Sequence, residues 1–315
     1  MPIQKQYRAT INRIAIAMLA FVMLNLLQGL LLGVLSFFTD AMTPICGEIV
    51  YELVSAFLYA VCFCLPVWIF FKLPSPRAPR VADFRCELPA NTPLYILFGV
   101  ALVSAAAYVN AFVVGFFDYA EFSSEVLWER EITANYQLVL MFITLVVVPA
   151  FVEEFLFRGV ILENLLPYGR TTAILVSAAL FGLMHQNIEQ LFYATVAGVV
   201  IGWVYLRTRS IWSCVLLHFF NNFQSVLGSA LGERLPEGRS TAALYLIEGA
   251  IFVLGILSGV WLLLQDKGKK ELATEETAGG NWRLRGFFTV PMVLFCVICL
   301  AQMALLVWLS QTYLA

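Results

Sequence analysis

Apolar runs long enough to cross a bilayer recur along this chain, and in hydrocarbon every backbone N–H and C=O has to find its partner inside the protein. The unbroken apolar character of these runs, without strand-like alternation, makes each a helix. Nine candidates fall near Ile14 to Phe38, Ile49 to Phe71, Leu94 to Phe117, Leu138 to Leu162, Ala173 to Met184, Leu191 to Leu206, Ile211 to Leu227, Leu244 to Leu264 and Phe287 to Ser310. The fifth and sixth are short. With 61% hydrophobic residues, 13% charged and a mean hydropathy of +0.84, the 315-residue chain lies far from ordinary soluble domains. The expected fold is all-α: a polytopic transmembrane helical bundle of eight or nine helices.

The net charge of -2 and the scatter of basic residues over short connections suggest no nucleic-acid partner. Seven cysteines, mostly inside apolar runs, suggest neither a disulfide framework nor a metal cage. The first apolar run exceeds a signal-peptide core and is read as a retained membrane helix. Lysine and arginine collect before the first span (Lys5, Arg8, Arg13), after the second (Lys72, Arg77, Arg80, Arg85), after the fourth (Arg170), after the sixth (Arg207, Arg209) and after the eighth (Lys267, Lys269, Lys270, Arg283, Arg285). The stretch "DYAEFSSEVLWEREIT" after the third span is acidic. This alternation places the N-terminus in the cytoplasm and, for nine spans, the C-terminus outside. The proline-rich loop "KLPSPRAPRVADFRCELPANTP" and the charged linker at 265–286 carry no catalytic pattern. Ala194, Gly198 and Gly202, four residues apart, form a stripe for close helix packing.

The polar residues inside these runs carry the functional argument. Glu153, Glu154 and Arg158 lie within the fourth span, where each charge costs roughly 2.5–3.5 kcal/mol against about 0.3–0.6 returned by a leucine or valine. At about 100° per residue, Glu154 and Arg158 share a helix face and can pair, whereas Glu153 is turned about 100° away. The chain has two histidines, His185 in "FGLMH" and His218 in "HFFNN". His185 follows Phe181 by one turn, and His218 precedes Asn222 by one turn. Taken singly, each is a packing or pairing residue. Together, two carboxylates, an arginine, two histidines and an amide on consecutive helices form an acid–base constellation.

A carboxylate and an imidazole facing one water can remove its proton and direct it at a carbonyl, a role that fits Glu153 and His185. A tetrahedral oxyanion needs fixed donors, a role that fits His218 and Asn222. Glu154 and Arg158 then hold the helix and the direction of Glu153. The reaction class is peptide hydrolysis within the membrane. One depth mismatch stands out, since His185 closes the fifth span while Glu153 lies toward the other end of the fourth. It resolves if the fourth helix runs to about Leu166 and "HQNIEQ" turns into a hydrated cavity.

The segments "EEFLFR", "FGLMH" and "HFFNN" resemble the EExxxR, FxxxH and HxxxN motifs of the type II CAAX prenyl protease and bacteriocin-processing (CPBP, abortive-infection) family, over roughly Leu138 to Leu227. The resemblance, closer to bacterial members, implies a glutamate-type intramembrane endopeptidase in a bacterial cell membrane. In it Glu153 and His185 activate water, His218 and Asn222 stabilise the oxyanion, and Glu154 and Arg158 are structural. It also implies a four-helix catalytic core at 137–230, between N-terminal helices with the proline-rich loop at 1–136 and C-terminal helices at 231–315. Substrates are peptides or membrane proteins in the bilayer, and no cofactor is expected. Three other readings stand beside it. A zinc protease would use Glu153, His185 and His218 as ligands, although no HExxH pair occurs. A proton-coupled transporter would show repeats, and none is found. A non-catalytic membrane partner or immunity protein would keep the same residues.

Overall fold

A computed structural model of the chain describes residues 1–119, 134–265 and 281–314. The acidic stretch at 120–133 and the linker lysines Lys267, Lys269 and Lys270 lie outside the described residues. Nine long helices and one short one follow in order: α1 Ile3–Thr39, α2 Pro44–Lys72, α3 Thr92–Tyr119, α4 Asn135–Tyr168, α5 Arg170–Met184, α6 Ile188–Thr208, α7 Ile211–Arg234, α8 Glu237–Gln265, α9 Trp282–Phe287 and α10 Val290–Leu314. No strand occurs among the described residues. The protein is a multi-pass helical membrane bundle.

Seven of these helices are long and apolar enough to cross a membrane. The other two expected spans are α5, with 15 residues, and α7, whose polar residues keep it outside that group. The expected first span starts early, at Ile3 rather than Ile14, because its polar first turns continue the same helix. The charged linker ends in a helical turn, α9, whose Trp282 ring packs edge-on against Tyr7, 5.5 Å away. An aromatic anchor on α1 therefore orders a segment that reads as irregular from composition.

α4 runs from Asn135 to Tyr168, past the Leu162 at which the apolar run fades. It contains two π-helical stretches, Phe142–Val147 and Phe155–Leu162, on either side of Pro149. Such wide turns recur at functional sites. Gly169, at φ 125°, joins α4 to α5 in a conformation open to glycine and strained for other residues. Asn187 starts α6 by accepting from the N–H groups of Glu189 at 2.8 Å and Gln190 at 3.3 Å, the usual work of an N-cap.

α5 and α6 form an antiparallel pair, α4 packs against α2, α5 and α7, and α3 crosses α6, α7 and α8. α1 packs on α2 and α10. The outward faces carry residues such as Phe37, Phe112 and Leu263, which are exposed and suited to lipid. Within the small-residue stripe, a side chain on Gly198 would meet Ala178 Cα at 2.9 Å, so these helices touch backbone to backbone. Ala194 is buried in the core as the packing stripe requires, and it also lines a cavity. The proline-rich loop is strapped across α4: Asn164 clamps the backbone of Arg80 from both sides, at 3.0 and 2.8 Å, and Ala82 N–H donates to Gly159 O at 2.9 Å.

Candidate active site

The site grows from the way α4 buries its charges. Glu154 and Arg158 are fully buried, and Glu153 is 3% exposed. Arg158 Nη1 donates to Glu154 Oε1 at 2.9 Å across one turn, as the i,i+4 spacing predicts. Its Nη2 donates to Gly198 O of α6 at 3.0 Å, which satisfies a backbone carbonyl the close α5–α6 packing brings near. The guanidinium lies over the Phe181 ring, 4.7 Å from the centroid, a cation–π contact that shields it further.

Glu154 Oε1 also accepts from His218 Nδ1 at 2.8 Å. A single carboxylate oxygen thus ties Arg158 of α4 to His218 of α7. Sequence reasoning paired Glu154 with Arg158 and did not foresee the imidazole, because the partner lies 64 residues further on. Since an ionised carboxylate only accepts, His218 donates through Nδ1 and turns Nε2 away from Glu154.

Glu153 points elsewhere, as the rotation argument requires. Its Oε1 accepts a short hydrogen bond from the Tyr59 hydroxyl of α2, and its buried Oε2 has no hydrogen-bond partner. Tyr59 is the residue that sequence reasoning missed. It sits in an apolar run among other aromatics, and only the packing of α2 on α4 distinguishes it.

His185 ends α5 and donates from Nδ1 to Phe181 O at 2.8 Å, which leaves Nε2 as the free ring nitrogen. Phe181 is the pivot of the site: its ring meets the His185 ring at 5.1 Å and the His218 ring at 6.0 Å, and backs onto Phe157 at 5.0 Å. Gly182, next in sequence, sits where a side chain would strike Thr195 Oγ1 at 2.0 Å and Leu191 O at 2.9 Å. A bulkier residue there would lift His185 away.

Asn222 Nδ2 donates to Leu145 O at 2.9 Å. Pro149, four residues after Leu145, lacks the N–H that would close this turn in an α-helix, and the Asn222 amide takes its place. One amide hydrogen of Asn222 is committed to α4, and the second remains available. Asn221 Oδ1 accepts from Tyr193 O–H at 2.6 Å, which fixes the neighbouring wall.

A cavity of about 410 Å³ gathers these groups. Glu153, His185, His218 and Asn222 all line it, together with Tyr59, Phe181 and Gln190, whereas Glu154 and Arg158 stand behind its wall. Glu153 lies within electrostatic reach of both imidazoles. The turn after α5 folds inward in part, with Gln186 and Glu189 buried and His185 and the exposed Gln190 lining the cavity. Among the described residues no three His, Cys, Asp or Glu side chains converge to hold a metal ion, the set Glu153, His185 and His218 included.

An all-α membrane bundle with a buried glutamate and two histidines on one cavity defines the class. Residues 135–224 match the family model described as Type II CAAX prenyl endopeptidase Rce1-like. The Bacillus subtilis (strain 168) protein named "Putative membrane peptidase YdiL" is 29% identical over 117 residues, 36% of this chain. The match spans 47%, about half, of that relative's length. No solved structure matches the chain.

Proposed function

We propose that this chain is an intramembrane endopeptidase that cleaves peptide bonds of membrane-associated or peptide substrates with a water activated by Glu153 and His185. The observation that carries the reading is the state of Glu153: buried, steadied on one oxygen by Tyr59, and unpartnered on the other, in a cavity it shares with both histidines. A water between Glu153 Oε2 and His185 Nε2 gives its proton to the carboxylate as its oxygen attacks the scissile carbonyl. The carboxyl then passes that proton to the departing amine, which restores Glu153. His218 Nε2–H and the free amide hydrogen of Asn222 hold the oxyanion.

Because His218 already donates from Nδ1 to Glu154, donation from Nε2 requires the imidazolium. Charge bookkeeping favours that form: Glu153 and Glu154 carry two negative charges, and Arg158 and an imidazolium at His218 carry two positive ones. A neutral set is the least costly to keep in a membrane. The arginine-rich helix ends face the cytoplasm in this reading, and the reaction needs no metal.

The test compares peptides in membranes and medium by mass spectrometry between wild-type, Glu153→Gln and His185→Ala cells, with folded protein measured in each. Products are expected to vanish in both variants while the protein stays inserted. Wild-type cleavage by Glu153→Gln would remove the assignment. Exhaustive chelation of purified protein is expected to leave cleavage intact, and loss with recovery on zinc would replace the carboxylate mechanism by a metal-dependent one.

A further inference from the structure

A second polar pocket, of about 350 Å³, lies where α1, the C-terminal end of α4 and the proline-rich loop meet. Asn164, one of its lining residues, is eleven positions beyond Glu153 on α4, roughly 16 Å along the helix at about 1.5 Å per residue. The pocket is therefore separate from the candidate active site and shares no lining residue with its cavity.

Arg13 is its central feature. Only 4% exposed, it donates to Ser75 Oγ at 2.6 Å and to Phe70 O at 2.5 Å, and its guanidinium lies 4.1 Å over the Phe70 ring. Its Nε is buried without a hydrogen-bond partner. Each of these contacts is neutral, so a buried cation is left without a counter-ion, a costly arrangement unless an anion completes it. Arg77 and Arg80 line the same pocket, and among the described residues none of the three arginines makes an ion pair.

The remaining lining groups include the hydroxyls of Thr10 and Tyr168 and the amide of Asn164, with no carboxylate among them. Nearby acids are already engaged. Asp83 is held by Arg85 at 2.5 Å, and Glu163 by Arg209 at 2.9 Å and Tyr205 at 2.5 Å. The loop bearing Arg77 and Arg80 is fixed by the Asn164 clamp, by Gly159 O and by the bond from Trp212 Nε1 to Phe84 O at 3.0 Å. Three cations on a fixed backbone, with no carboxylate among them, make a preorganised site for a tetrahedral oxyanion.

We propose that this pocket binds a phosphate group, carried by a lipid headgroup or by a free phosphate. The test is thermal unfolding of the purified full chain in uncharged detergent. One arm adds inorganic phosphate against chloride at equal ionic strength. A second adds dioctanoyl phosphatidylglycerol against dioctanoylglycerol, which has the same chains and no phosphate. At about 100 times its Kd the bound species is expected to raise Tm by roughly 5 °C. Arg77→Gln with Arg80→Gln, both exposed positions that leave the buried contacts of Arg13 in place, is expected to at least halve that rise. A shift with both species supports a site for phosphate as such, and a shift with the phospholipid alone supports a headgroup site. No shift with either, or the same shift in the double variant, overturns the proposal.

Discussion

Replacing Arg158 by methionine isolates the worth of the buried charge pair. The substitution nearly preserves apolar volume but strips Glu154 of one of its two N–H donors, leaving a fully buried carboxylate with His218 alone. The lost bond to Gly198 O is minor, since neutral interhelical hydrogen bonds in membranes average about 0.6 kcal/mol. The stacking on Phe181 adds about 0.5–2 kcal/mol. The orphaned charge dominates, at about 3–5 kcal/mol for a broken buried pair. Adding Glu154→Gln removes that charge while its amide oxygen still accepts from His218 Nδ1. The double variant is therefore expected to lie only about 1–2 kcal/mol below wild type, a recovery of roughly 2–3 kcal/mol over Arg158→Met alone. That difference is about 30- to 150-fold in the folded-to-unfolded ratio. Unfolding by rising SDS fraction in mixed micelles, followed by circular dichroism, measures all four corners of the cycle. A double variant no more stable than Arg158→Met alone would refute the reasoning.

Tyr59→Phe removes a hydrogen bond to a carboxylate, worth about 1.5–3 kcal/mol, from the group that holds Glu153 in direction. Peptide cleavage by the purified, still folded variant is expected to fall about 10- to 100-fold, with its unfolding midpoint lowered by no more than the loss of that bond; unchanged turnover would take Tyr59 out of the site. Gly198→Val forces Cβ to within 2.9 Å of Ala178 Cα and displaces the carbonyl that Arg158 uses. A loss of about 1–3 kcal/mol in the same SDS assay is expected, part of it recovered by Ala178→Gly.

The bundle was readable because hydrocarbon leaves helices few alternatives, and the nine apolar runs correspond to nine long helices among the described residues. Of the two runs that read as short, α6 proves long and apolar enough to span, and the two helices outside the seven, α5 and α7, are those that lead to His185 and carry His218 and Asn222. α5 falls short by length and α7 by the polar side chains it carries. The i,i+4 geometry within one helix also read correctly, from Glu154 to Arg158 and from Phe181 to His185. What stayed hidden crosses between helices: the Tyr59 hydroxyl on Glu153, His218 on the rear of Glu154, and Asn222 standing in for the missing N–H of Pro149. These pairings depend on which turn of one helix meets which turn of another, and no periodicity records it. Asn164 was equally opaque, because its partner is the backbone of a loop 84 residues away.

Because Glu154 and Arg158 pair within a single helix, α4 has less need to wait for its neighbours during synthesis. Chain order delivers it to the insertion machinery before α6, which supplies Gly198 O, and before α7, which supplies His218. Three unpaired charges would together oppose insertion by roughly 8–10 kcal/mol. An internal ion pair lets two of them enter as one neutral unit, while Glu153 meets Tyr59 on α2, which has already been made. The charged helix thus finds what it needs to enter the bilayer within itself or upstream, and the later helices turn an inserted segment into a cavity with chemistry.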